Sequence, residues 1–166
     1  MILLFILAFP IIFTACSQQD NNEKTAANTI ETAEECINAL KDAGLPIGQI
    51  IVYDETTDPN GILGRPGRYT SKADFEDTTV EQYDDAIIEQ IGETVIGGTV
   101  EMFETAEDCQ DRYDYLMQFD DPSLGPMGLD AYMYKSDLAI LRVDYDVLPD
   151  NAKKYEEAFY TLFSVK

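Results

Sequence analysis

Three cations crowd into eight positions of this chain: Arg65, Arg68 and Lys72 are three of its eleven basic residues. They lie in TDPNGILGRPGRYTSKADF, Thr57 to Phe75. An arginine offers a planar fork of donors that grips a carboxylate or phosphate through two bonds at once. The glycines and proline around the arginines favour a shaped loop, and Tyr69 between the cations supplies an aromatic anchor. The expectation is a binding loop made of Arg65, Arg68, Tyr69 and Lys72. The competing expectation follows from the 32 Asp and Glu: in so acidic a chain the same cations can be consumed by internal ion pairs.

Other chemistry is narrowed by what is missing. There is no His and no Trp. Ser-His and Cys-His nucleophile pairs are therefore excluded, and so is the commonest zinc ligand. With so many acids, no carboxylate pair stands out as a glycosidase dyad. Asp54, Glu55, Asp58 and Asn60 present oxygen ligands, but Gly67 stands where a calcium loop would need its closing Glu. No catalytic residue, metal site or cofactor is expected, and a non-enzyme is. The net charge of -21 repels nucleic acid and anionic headgroups and favours cations or basic partners.

The first sixteen residues, MILLFILAFPIIFTAC, are almost wholly apolar from Ile2 to Phe13. They are too few for a membrane span of about twenty residues but suit the apolar region of a secretory signal. Small residues at Thr14 and Ala15 directly before Cys16 resemble the lipobox of bacterial lipoproteins. Phe13 stands where Leu is usual, and no Lys or Arg precedes the run. The resemblance implies a signal peptide over residues 1–15, a diacylglycerol anchor on Cys16, and a domain held at the extracytoplasmic side of the cell membrane. An uncleaved anchor helix is the alternative. Residues 16–30 read as a flexible tether of roughly 20 Å reach, from about 5–6 Å × √n.

Residues 31–166 should form one α+β domain. Thr32-Ala33-Glu34-Glu35 is a capping box, followed by Cys36, Ile37, Leu40 and Ala43 at helical spacing and a stop at Gly44. Ile47 to Tyr53 is a β-branched run. The acidic stretch EDTTVEQYDDAIIEQ is ambiguous. Thr94 to Phe103 reads as a strand with a bulge at Gly97-Gly98. Thr105 opens a helix with Cys109, Tyr113, Leu116 and Met117 on one face. Ala131–Tyr134 and Leu138–Tyr145 form a hairpin. Pro149 opens a last helix with Ala152, Tyr155, Phe159, Leu162 and Phe163 as its stripe. The expected order is α-β-(β)-β-α-β-β-α, an antiparallel sheet with helices packed on one face.

ETAEEC at Glu31–Cys36 recurs as ETAEDC at Glu104–Cys109. Tandem duplication is one explanation; convergence on a good helix start is the other. If Cys16 carries lipid, Cys36 and Cys109 remain as an even pair, either bridged or buried as small apolar thiols.

LGRPGRYTSKADF resembles a segment of small uncharacterised lipoproteins of Gram-positive bacteria. GGTVEMFETAEDCQDRYDYL and LAILRVDYDVLPDNAKKYEEAF are similar to the C-terminal part of that family. The resemblance covers most of Ile47 to Phe163. It implies a lipid-anchored extracytoplasmic domain and no assigned activity. The expected function is a non-enzymatic binding module of unknown ligand, with another envelope protein as the candidate partner. The alternative is an inhibitor or immunity factor acting on an envelope enzyme or a phage component. A small hydrolase comes third.

Overall fold

Each strand and helix starts where local chemistry favours it. The computed structural model describes residues 29–84, 94–120 and 128–164; the expected signal, Cys16 and all but the end of the tether lie outside the described residues. Helix α1 spans Ala33–Asp42. Thr32 accepts a hydrogen bond from the Glu35 amide at 3.2 Å, and the Glu35 carboxylate accepts from the Thr32 amide at 3.1 Å. The capping box thus satisfies two amides that would otherwise lack partners. Cys36, Ile37 and Leu40 are fully buried beneath the helix, each of the two larger side chains contributing about 1.5–3 kcal/mol.

Strands β1 (Ile47–Val52), β2 (Ser71–Asp77) and β3 (Gly97–Met102) precede helix α2 (Ala106–Met117). Strands β4 (Ala131–Lys135) and β5 (Ala139–Asp144) and helix α3 (Pro149–Ser164) complete the α+β fold. The sheet order is β1-β2-β3-β5-β4, with every neighbouring pair antiparallel. The uncertain strand of the expected order is β2, whose charged sequence SKADFED conceals its alternation: Ala73 and Phe75 face one side, Lys72 and Asp74 the other.

The expected bulge is not at the glycines. Gly97 and Gly98 pair in regular register with Glu76 and Phe75, and the irregularity falls between Ile47 and Ile50 in β1. The glycines serve close approach instead. A Cβ on Gly98 would lie 2.3 Å from the Arg142 carbonyl and 2.7 Å from the Phe75 ring, so the sheet closes over a gap that any side chain would fill.

Helices cover both faces of the sheet. Helices α1 and α3 share one face, packed on Ala73, Phe75, Val100, Leu141 and Val143. Phe75 and Tyr155 stack there at 5.4 Å, and the Tyr155 hydroxyl donates to buried Asp77 at 2.9 Å. Helix α2 lies on the other face with Tyr69, Phe103, Cys109 and Ile140. The expectation of helices gathered on one face therefore holds for α1 and α3 and is corrected for α2. Leu141 and Val143 point one way and Ile140 and Arg142 the other, so β5 buries both of its faces.

The repeated hexapeptide maps onto a repeated architecture. Thr32 and Thr105 each cap a helix. Each helix leads to an edge strand and then an inner strand antiparallel to β3. A half-turn about β3 would exchange the two strand pairs and place their helices on opposite faces. One difference is plain: residues 53–70 join β1 to β2, whereas 136–138 join β4 to β5.

That symmetry decides the cysteines. Cys36 and Cys109 are both buried and both free, one on each side of the sheet. Packed layers stand about 10 Å apart, beyond the roughly 7 Å at which two cysteine Cα atoms can be bridged. The candidate disulfide is thus corrected to two separate thiols. Burial pushes them up to about 12 and about 11 respectively. A thiol reagent is expected to leave both unmodified in the folded protein and to label both in denaturant; labelling of neither in denaturant without reductant would restore the bridge.

Candidate functional site

The loop from residue 53 to 70 is held by two carboxylates. Asp54 accepts from the Thr56 and Thr57 amides at 2.8 and 2.9 Å and from both hydroxyls. Those four donors favour the charged form and hold its carboxyl at about 2. Asp58 is the hub. Its Oδ2 accepts from Tyr69 Oη at 2.7 Å and from the Ile62 and Leu63 amides at 2.9 and 3.1 Å. Its Oδ1 accepts from Lys72 Nζ at 3.1 Å. Burial alone would raise the Asp58 pKa; these donors outweigh it and hold the carboxyl well below the ordinary carboxylate range. Asp54 Oδ1 and both carboxylate oxygens of Asp58 are thus engaged within the loop.

Positive φ at Gly64 and Gly67, +75° and +71°, turns the backbone back on itself, a conformation that favours glycine. Gly64 donates to the Tyr69 carbonyl and Arg68 to the Arg65 carbonyl. The result is an ordered tip between anchored ends.

The four residues expected to share a contact face divide into two pairs. Arg65 and Arg68 are exposed, and among the described residues neither guanidinium has a hydrogen-bond or ion-pair partner. Tyr69 is fully buried and Lys72 is 3% exposed, so both leave the candidate face. The reason lies in Asp58: a buried carboxylate requires donors, and the tyrosine hydroxyl and lysine ammonium are the nearest side chains able to serve it.

Behind the loop, cations and aromatic rings alternate. Lys72 Nζ lies 4.6 Å from the Tyr53 ring centroid and 6.0 Å from that of Tyr69. The Arg112 guanidinium lies 5.6 Å from both Tyr69 and Tyr115. Arg112 also grips Glu101 through two bonds, 2.9 and 2.7 Å long, and Arg142 approaches the same carboxylate at 3.5 Å. Glu101 is fully buried. Sequence reasoning missed Asp58, Glu101 and Arg112 as a set. One signal was available: Arg112 stands between Cys109 and Leu116 at helical spacing, on the stripe that faces inward.

A groove of about 300 Å³ opens at the far end of the sheet, lined among others by Asp74, Tyr83, Asp130, Asp144 and Asp146. Burial raises the Asp144 pKa, opposed by the Gly97 amide that donates to it. Among the described residues no three acid or thiol side chains converge as a metal site would require.

The loop tip presents two guanidiniums to solvent that have no partner among the described residues. No protein-family model matches this chain, and no curated protein or solved structure matches it either.

Proposed function

We propose that this protein is a lipid-anchored extracytoplasmic binding module that holds an envelope partner through Arg65 and Arg68. One observation carries the reading: in a chain with 32 acids, the two arginines at the tip of an ordered loop keep their guanidiniums unpaired. An exposed ion pair gains little over two solvated charges, so arginines on the loop tip stay single at little cost and are available to a carboxylate or phosphate outside the molecule. The apolar run ending at Thr14-Ala15-Cys16 and the polar residues after it support the placement; two acyl chains on Cys16 would hold the protein at the membrane, and a tether to residue 30 would let the domain stand off it.

The test compares the full chain with Arg65→Glu/Arg68→Glu as bait in the producing cells' own envelope. Both side chains are exposed, so the variant is expected to keep its stability within about 0.5 kcal/mol. Its partner is expected to be lost. Cys16→Ser is expected to move the protein from the membrane to the soluble fraction. A partner set unchanged by charge reversal sinks the arginine reading, and a Cys16→Ser protein that stays in the membrane sinks the anchor.

A further inference from the structure

The sheet has two edges, and they are treated differently. Edge β1 is broken as a template. Its register slips between Ile47 and Ile50, the Glu76 carboxylate accepts from the Gln49 amide at 2.8 Å, and Lys41 Nζ donates to the Gly48 carbonyl at 3.3 Å. A bulge and a lysine are the usual means of blunting an edge against stray pairing.

Edge β4 carries neither bulge nor proline. It pairs with β5 in unbroken register from Ala131–Asp144 to Lys135–Ile140. Ser136 donates to the Ala139 carbonyl and Tyr145 to the Asp130 carbonyl. Antiparallel bonding alternates, so Tyr132 and Tyr134 turn their backbones inward while Ala131, Met133 and Lys135 turn theirs outward. Among the described residues those three outward amides and carbonyls have no partner. Lys135, the residue placed to guard the edge, donates its ammonium back to the Ser136 carbonyl at 3.2 Å.

The flanks of this edge are specific. On the α3 side, Tyr132 meets Tyr145 edge-on at 4.6 Å and Tyr134 meets Tyr160 at 6.4 Å. Tyr145 and Tyr160 remain 45% and 41% exposed. Tyrosine gives large contact area at low entropic cost and is enriched at the centres of interfaces. Asp130, Asp137 and Asp146 are exposed at the two ends of the hairpin, and Glu156 acts on Tyr134 across the strip. On the α2 side the neighbour is half-buried Met133.

We propose that the free edge of β4 is a strand-addition site for an extended, basic segment of a partner protein. Main-chain bonds to Ala131, Met133 and Lys135 supply the affinity, as in other edge-strand recognition. Side chains of an added strand alternate between the two faces. Those on the tyrosine side meet rings and carboxylates, which select Arg or Lys with the stem along the ring. Those on the other side meet Met133 and select apolar residues. A second copy of this chain is disfavoured by its own net charge of -21.

The experiment follows backbone amide exchange of the full chain in detergent micelles. The probe is a synthetic peptide of about nine residues, a common strand length, alternating Arg and Val; its control alternates Glu and Val. The Arg peptide is expected to slow exchange at Ala131, Met133 and Lys135 by about tenfold or more, and the Glu peptide to leave it unchanged. Met133→Pro removes an outward donor that the internal ladder does not use, so an edge position tolerates it. That variant is expected to lose the response while Tyr132 and Tyr134 stay protected. Three outcomes overturn the proposal: outward amides already protected without peptide, an equal response to the Glu peptide, or none to the Arg peptide.

Discussion

Glu101→Leu is expected to lower the stability of the domain by about 3–5 kcal/mol, measurable as a drop in the urea midpoint at unchanged slope. Glu101 is fully buried and accepts from Arg112 and Arg142. Leucine fits the volume but abandons Arg112, whose side chain is 8% exposed and has no other carboxylate within ion-pair distance among the described residues. The loss comes from that stranded cation, because the intact pair itself gains little over its desolvation. Glu101→Leu/Arg112→Met is therefore expected to recover most of the stability, since methionine restores apolar packing and removes the orphan. A double variant as weak as the single one would place the loss in packing and not in charge.

Asp58→Ala is expected to cost a similar amount, about 3–5 kcal/mol, and to act locally first. It removes the acceptor for Tyr69, Lys72 and three backbone amides together. Amide exchange at Ile62 and Leu63 should rise before the rest of the sheet opens. The loop tip bearing Arg65 and Arg68 loses its mount, so a partner held by those arginines should weaken although neither contact residue has changed. The pH dependence has a definite sign. The folded-state pKa of Asp58 is depressed, so its contribution is present above the unfolded value of about 3.9 and is lost as pH falls below it toward the folded value. Asp54, held at about 2, titrates in the same window. Asp58→Asn should therefore flatten the loss of stability below about pH 4; an unchanged acid limb would remove Asp58 as its cause.

Where a segment's conformation was decided by its own residues, it was legible. Thr32 with Glu35 and Pro149 with its apolar stripe define helices from neighbours within four positions. The β4–β5 hairpin follows from two alternating runs around a short turn. Strand β2 was obscure because its alternation is charged: Lys72 reads as an outward residue until Asp58, fourteen positions earlier, is brought beneath it. Tyr69 was misread for the same reason. The arginines before it suggested a surface, yet its ring is buried with Lys72 at 6.0 Å and Arg112 at 5.6 Å from its centroid.

The sequence by itself determined the class of the fold, the order of its elements, the helix starts and the loop on which Arg65 and Arg68 stand. These are local properties, set by capping, periodicity and turn chemistry over a few residues. The tertiary structure alone decided that α2 crosses to the opposite face, that Cys36 and Cys109 are separated by the sheet, which cations are spent on internal acids, and which sheet edge stays open. Each of those depends on residues distant in the chain meeting in a low-dielectric interior, where an unpaired charge is costly enough to choose its own partner.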